Sequence, residues 1–324
     1  MSNKKGVSII IPVKRINNYI RESVSHILKL YYDEFEIIIL PDEADTEVFS
    51  KTRIIATGPI GPAEKRDIGA KHAKGEILAF LDDDAYPRTD WLKNAVRHFE
   101  NSDVAAIGGP AVTPADDSVW QKASGAVFAS WLASGKYDYR YIPKNSREVD
   151  DYPSVNLIIR KDIFNKAGGF DSNYWPGEDT KLCLDITKKL GKKIIYDPEV
   201  FVYHHRRPLF LSHLRQVSRY AFHRGYFAKI LPETSLRFGY FVPSLFLLGL
   251  FLGGILSAVH NTILLLYITI LLMYIVMLLG TAMLITLKEK NILVGVLTVP
   301  GIFLTHLVYG YNFIKGFLKV RYKR

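Results

Sequence analysis

Gly75-Glu76-Ile77-Leu78-Ala79-Phe80-Leu81-Asp82-Asp83-Asp84 is the stretch on which the reading of the whole chain turns. A glycine turn opens onto a short, continuous apolar run, the pattern of a strand buried on both faces. Three carboxylates close it. Adjacent acids repel one another unless a cation or a hydrogen-bond network absorbs their charge. Carboxylates at close quarters suit a hard divalent ion, Mg²⁺ or Mn²⁺, and such an ion in turn suits a diphosphate. The C-terminal edge of a parallel sheet is also where α/β folds bind their ligands. A solvated acidic turn is the plainer alternative.

Outward from this run the chain alternates. Strands are predicted over 7–12, 36–40, 53–57, 76–82 and 104–107, and helices over 17–30, 62–73 and 89–100. Alternation of this kind argues a mostly parallel α/β sheet with helices on both faces. A helix over 117–134, carrying Trp120, Phe128 and Trp131, either packs on that sheet or faces an acceptor or a membrane. The α/β pattern then resumes with strands at 154–160, 193–196 and 200–203 and a helix at 179–190. No G-x-G-x-x-G fingerprint follows the first strand and no Walker sequence is present, which disfavours a dinucleotide or P-loop fold.

Composition divides the chain further. Residues 238–259 and 262–287 carry no charge and are long enough to cross a bilayer core. Residues 292–314 are also uncharged, but Pro300-Gly301 is expected to break them, leaving either a third span or a re-entrant hairpin. No signal peptide is expected, because the first six residues lead straight into a strand. Residues 205–237 hold seven Lys/Arg and one acid, and residues 311–324 hold five Lys/Arg and no acid. These two segments account for the net charge of +10, so the globular part has no basic excess with which to bind nucleic acid. Basic flanks beside apolar spans mark the cytoplasmic face. The single cysteine, Cys183, excludes an internal disulfide and fits a reducing compartment. Four regions follow: a catalytic domain over 1–205, a basic amphipathic segment over 206–237, two or three membrane or re-entrant helices over 238–318, and a basic tail over 319–324.

Several motifs fall in one order: Ser8-Ile9-Ile10-Ile11-Pro12-Val13, Glu36-Ile37-Ile38-Ile39-Leu40-Pro41-Asp42, Lys65-Arg66-Asp67, the Asp82-Asp83-Asp84 run, Gly168-Gly169-Phe170-Asp171 and Gly177-Glu178-Asp179. Over residues 6–205 this set resembles the family-2 inverting glycosyltransferases with the GT-A fold. The resemblance implies a nucleotide-diphospho-sugar donor. Pro12, Val13 and Asp42 would hold the nucleotide, although Asp42 at a turn could equally be structural. Arg66 falls where the family places an arginine near the diphosphate; Lys65 is the other candidate phosphate contact, and an exposed helix charge is the plain reading of either. Asp67 departs from the asparagine common there. The outer acids of the family's D-x-D motif match Asp84, a direct metal ligand, and Asp82, which approaches the ribose or the metal. Asp83 fills the variable position between them.

Asp179 matches the family's catalytic base, with Glu178 as an acceptor-hydroxyl or structural ligand. A helix N-cap is the alternative for Asp179. One of His204 and His205 would contact metal or phosphate, unless both are surface residues. Asn156 and Trp175 are candidates for the sugar pocket. Gln216-Val217-Ser218-Arg219-Tyr220 resembles the Q-x-x-R-W motif of processive synthases with Tyr for Trp; Gln216 and Arg219 would then hold donor or acceptor. A lipid-facing amphipathic helix explains the same residues. Cytoplasmic donor chemistry fixed to a membrane points to a lipid-linked glycan or polyprenyl-phosphate acceptor. The alternatives are a polyprenyl-phosphate monoglycosyltransferase, a processive synthase, or an inactive membrane scaffold.

Overall fold

The computed structural model describes residues 5–320, so most of the expected basic tail lies outside the described residues. The chain forms two compact units, Met1–Val112 with Ile142–His205, and Thr113–Tyr141 with Arg206–Arg324. The first begins with β1 (Val7–Pro12), α1 (Asn18–Ile27), β2 (Phe35–Leu40), β3 (Thr52–Ile54), α2 (Pro62–His72), β4 (Ile77–Leu81), β5 (Ala85–Pro87), α3 (Trp91–Val96), β6 (Val104–Gly108) and β7 (Ala111–Val112). Then α4 (Val119–Ala129) and α5 (Trp131–Ser134) belong to the second unit. The first unit resumes with β8 (Arg147–Val149), β9 (Asn156–Arg160), α6 (Lys161–Ala167), α7 (Glu178–Leu184), β10 (Lys193–Tyr196) and β11 (Val202–His204). The chain closes in the second with α8 (Leu211–Ile230), α9 (Pro232–Ser235), α10 (Phe238–Ser257), α11 (Asn261–Glu289) and α12 (Ile292–Leu318).

The main sheet of the first unit has the strand order β3-β2-β1-β4-β9-β6-β10-β8. Its β3-β2-β1-β4 half is parallel throughout; β9 runs antiparallel between β4 and β6. Every residue of β1 and β4 is buried, which is why β4 reads as an unbroken apolar run and β1 as one interrupted only by Ser8, rather than alternating. Their shared register, with Ile10 opposite both Ile38 and Phe80, brings Pro12, Leu40 and Leu81 out at one edge. The candidate site residues follow directly from that edge.

Two helices depart from their predicted extents. The helix predicted over 179–190 ends at Leu184 and widens into a π turn over Asp185–Lys189, with Gly191 at a positive φ of 60° just beyond. The helix predicted over 117–134 breaks at Ser130, whose backbone is extended and whose hydroxyl accepts from Ala133 N. Ser118 and Gln121 start α4 with a reciprocal capping box, a signal that was present in the sequence. A second sheet, β5-β11-β7, is built from strands too short for a periodic pattern to show.

In the second unit α10 and α11 form an antiparallel hairpin, with Phe246 4.5 Å from Tyr274 and Tyr267 Oη donating to Leu250 O at 3.0 Å. Three helices, α10, α11 and α12, are long and apolar enough to cross a membrane. Pro300-Gly301 does not break the last of them. The helix runs through Pro300 without interruption, so the expected re-entrant hairpin is not formed. Proline removes one backbone donor, but neighbouring helices hold the axis. The residues of α8 also differ from the expected lipid-facing stripe. Its Val217 and Ala221 are buried, but Leu211 and Tyr220 face outward. The buried face packs on α12: a Cβ on Gly225 would lie 2.1 Å from Phe313 O, and one on Gly316 would lie 1.9 Å from Phe222 O. Backbones approach this closely only where neither helix carries a side chain.

Candidate active site

Strand β4 ends at Leu81 and delivers Asp82, Asp83 and Asp84 to the edge of the sheet. The chain then enters β5, which pairs antiparallel with β11 so that His204 stands opposite Ala85. This pairing places His204 Nε2 3.0 Å from Asp84 Oδ1. Asp82, Asp84 and His204 each offer one ligand atom within 4.8 Å of the others. Two carboxylates and one imidazole make a mixed O/N donor set, suited to Mn²⁺ and competent for Mg²⁺. Asp83, between the two acids, has its carboxyl pushed up to about 7, first by burial and then by Asp84 and Asp82.

Arg66 joins this cluster to the next motif. It is 4 % exposed, donates from Nη2 to Asp82 Oδ1 at 2.7 Å and from Nη1 to Glu178 Oε1 at 3.2 Å, and lies 5.6 Å over the Phe170 ring. Its place depends on the Gly168-Gly169 turn. Both glycines have positive φ, and a Cβ on Gly169 would meet Asp67 Oδ1 at 2.7 Å. That turn lets Phe170 N donate to Asp67 Oδ1 at 2.9 Å and seats Phe170 under the guanidinium. Burial pushes the Asp67 carboxyl up to about 6, against the pull of the Phe170 amide. Arg66 is therefore a buried bridge between two acids and not an exposed helix charge.

The N-cap of α7 is Gly177, so Asp179 sits inside the first turn and does not cap it. Its Oδ1 accepts from Thr180 N at 2.7 Å and its Oδ2 from Ser154 N at 3.3 Å. Thr180 Oγ1 donates to the buried Asp151 at 2.9 Å, which ties the turn to the loop before β9. Glu178 is buried beside Asp179. Burial, followed by the Asp179 charge, raises its carboxyl above the ordinary glutamate range, and Arg66 opposes this. Ser154 and Asp151 had no signal in the sequence, because their partners stand 25 and 29 residues away.

Residues 8–168 match the model of the family described as Glycosyl transferase family 2. The chain carries a family-2 glycosyltransferase domain. A pre-mycofactocin glycosyltransferase of Mycobacterium tuberculosis is 27 % identical over 231 residues, covering 68 % of this chain and 46 % of its own. The chain thus spans about half the length of that relative. A glucosyl-dolichyl phosphate glucuronosyltransferase of Haloferax volcanii is 25 % identical over 223 residues, covering 61 % of this chain and 68 % of its own. Among solved structures, a mannosyltransferase from Pyrobaculum calidifontis in complex with GDP-Man and Mn²⁺ superposes with a TM-score of 0.53 at 19 % identity, over 71 % of this chain and 65 % of that one. The sheet of the glycosyltransferase domain is thus GT-A-like, as the order of motifs implied.

Within the glycosyltransferase domain, Pro12 and Val13 leave β1 beside Leu40, with Val13 N donating to Leu40 O at 3.2 Å. Lys65 reaches across the ends of both strands. Its buried Nζ donates to Val13 O at 2.6 Å, to Leu40 O at 3.1 Å and to Asp42 Oδ1. An ammonium group has three donors, and all three are engaged, so Lys65 is not a phosphate contact here. It holds Asp42 at the edge of the sheet.

Two further residues, Asn156 and His205, do not stand where the sequence suggested. Asn156 is fully buried: it accepts from Trp91 Nε1 at 2.9 Å and donates to Gly109 O at 2.7 Å and Val200 O at 2.8 Å. Its amide is committed to joining strands and has nothing to offer a sugar. His205 points away from the acids, to Glu22 Oε2 on α1 at 2.9 Å. Successive side chains at a strand end face opposite ways, so only one of the two histidines can join the cluster. Gln216 donates to Tyr220 Oη at 2.9 Å along the surface of α8, and Arg219 is exposed on the same helix of the second unit. Trp175 is 41 % exposed in the loop before Glu178.

Proposed function

We propose that this protein is a membrane-bound inverting glycosyltransferase that moves a sugar from a nucleotide-diphospho-sugar to a lipid-linked glycan acceptor. The observation that carries the reading is the line of contacts from Asp82, Asp84 and His204 through Arg66 to Glu178 and Asp179. Donor activation and acceptor deprotonation need opposite charges at opposite faces of one sugar, and this line spans such a pair of sites. Asp82, Asp84 and His204 would hold the cation, which when bound offsets charge on the leaving diphosphate. Pro12, Val13 and Asp42 would seat the nucleotide. The acceptor oxygen attacks C1 as the bond from C1 to the phosphate oxygen breaks, and the bonding pair leaves with the nucleoside diphosphate. The acceptor proton passes to Asp179. Buried Glu178 accepts from Arg66 and would orient the base beside it. Trp175, exposed beside this turn, would meet the acceptor.

The Mn²⁺ and GDP-Man of the Pyrobaculum structure support the metal and the donor class. The acceptor class is supported by the dolichyl phosphate in the name of the Haloferax relative and by the apolar helices. Basic residues flanking those helices favour a catalytic domain on the cytoplasmic face. Turnover of UDP-, GDP- and dTDP-sugars with Mg²⁺ or Mn²⁺, with and without membrane lipid extract, tests this reading in wild type, Asp84→Ala and Asp179→Asn. Metal-dependent turnover of one donor, stimulated by lipid and lost in both variants, is expected. Sugar delivered to bare polyprenyl phosphate would instead indicate a monoglycosyltransferase. No turnover and no nucleotide binding would leave an inactive scaffold.

A further inference from the structure

We infer that Glu22 and His205 are positioning residues that set the cation site, an inference that rests on the glycosyltransferase reading above. Tyr19, Glu22 and His26 recur at intervals of three and four residues and so share one stripe of α1. Each touches the end of the small sheet. The Tyr19 ring lies 4.8 Å from the His205 ring, Glu22 Oε2 lies 2.9 Å from His205 Nε2, and His26 stacks on Tyr86 at 4.3 Å. Tyr86 in turn lies 5.6 Å from His205.

His205 is thereby pinned at two points. Its ring is held on α1 by Glu22, and its peptide N–H donates to Asp84 O at 2.9 Å. His204 is the preceding residue and faces the other way, 3.0 Å from Asp84. Fixing the His205 ring on α1 therefore fixes the direction of the His204 imidazole. Without the clasp, His204 would have to be ordered at the moment of binding, which costs cation affinity. The helix that supplies Glu22 begins just after the Pro12-Val13 edge, so the same clasp ties the cation site to the strand end proposed to seat the nucleotide.

The test is Mn²⁺ affinity of the full-length enzyme in detergent, read from the electron paramagnetic resonance of free Mn²⁺, with thermal unfolding in parallel. Glu22→Ala is expected to weaken Mn²⁺ binding by about 10-fold, the low end of the loss on removing a group bonded directly to a ligand because Glu22 acts through His205, with little change in Tm. Glu22→Gln keeps an acceptor oxygen for the imidazole and should stay within about threefold of wild type, since outer-shell support works through the hydrogen bond. His205→Ala should match Glu22→Ala; if it fails to fold, the partly exposed Glu22 site decides alone. Wild-type affinity in a folded Glu22→Ala would overturn the clasp, even where Asp84→Ala abolishes binding. Absence of Mn²⁺ binding by the wild type would overturn the metal reading itself, and the clasp with it.

Discussion

At the residue scale the site is governed by two buried cations with different tasks. Lys65 saturates three oxygens at the ends of β1 and β2, and Arg66 divides its guanidinium between Asp82 and Glu178. Substitution Lys65→Met would leave two carbonyls and Asp42 without their buried partner. A loss of about 2–4 kcal/mol in stability is expected, together with weaker nucleoside diphosphate binding. Thermal unfolding and calorimetric titration with UDP and GDP would measure both; unchanged nucleotide affinity in the folded variant would remove Lys65 from the site. Asp67 gives a pH-dependent counterpart. Its folded value of about 6 lies above the ordinary 3.8, so the folded protein holds this proton more tightly. That stabilisation is complete below about pH 4 and is lost as the pH rises through about 6. Asparagine keeps the acceptor for Phe170 N without the buried charge. Asp67→Asn should therefore gain about 1–2 kcal/mol at pH 8, less than the full shift implies because the side chain is only half-buried. The gain should vanish near pH 4; equal Tm differences at both pH values would contradict this account.

At the scale of elements, the second unit depends on glycines where helices meet. Gly225 and Gly316 let α8 and α12 touch backbone to backbone, and Gly310 does the same where α12 crosses Pro243 of α10. No rotamer change can relieve a Cβ 1.9 Å from a carbonyl oxygen. Gly316→Val is accordingly expected to part α8 from α12, at a cost of at least about 1–3 kcal/mol, the usual penalty of overpacking. Gel filtration in detergent and thermal unfolding should show a loosened, less stable protein. Gly249→Ala on α10, where nothing lies near the added Cβ, is the matched control and should be neutral. A Gly316→Val variant as stable as wild type would mean that the helices can slide apart freely.

At the scale of the second unit as a whole, the third apolar helix poses the question of topology. Three crossings would put the chain before α10 and the chain after α12 on opposite sides of the bilayer. The contacts argue otherwise. Lys229, before α10, donates to Lys319 O after α12, and His213 Nε2 meets Thr305 Oγ1 at 2.9 Å, so α12 runs alongside α8 in the same direction. α12 is also far more buried within the protein than α10 or α11. The expected arrangement is a two-helix crossing, α10 and α11, with α12 lying on α8 and Lys319 on the side of α8. Cysteines placed at Pro232 and Val320, both exposed, should label from the same side in intact cells. The native Cys183 is fully buried and should stay silent. Labelling of Val320→Cys and Pro232→Cys from opposite sides would establish three crossings.

The amino-acid sequence by itself determined the central strands, because strands buried on both faces are written as short, near-continuous apolar runs, as over 7–12, 36–40 and 77–81, between turn residues and helical segments. It also determined the acids at the edge, since motif residues follow a strand end by one position whatever the rest of the fold does. Only the tertiary structure decided between His204 and His205, which depends on the register of a three-residue strand. The same holds for Lys65 as a strand clamp, Asn156 as a core tie and the Arg66 bridge, whose partners are 16 to 112 residues distant. Hydropathy marked α12 as apolar but could not say whether lipid or protein covers it, because both are equally free of water. Which of the two does so is set by the glycines facing α8, and their role exists only once the two helices are side by side.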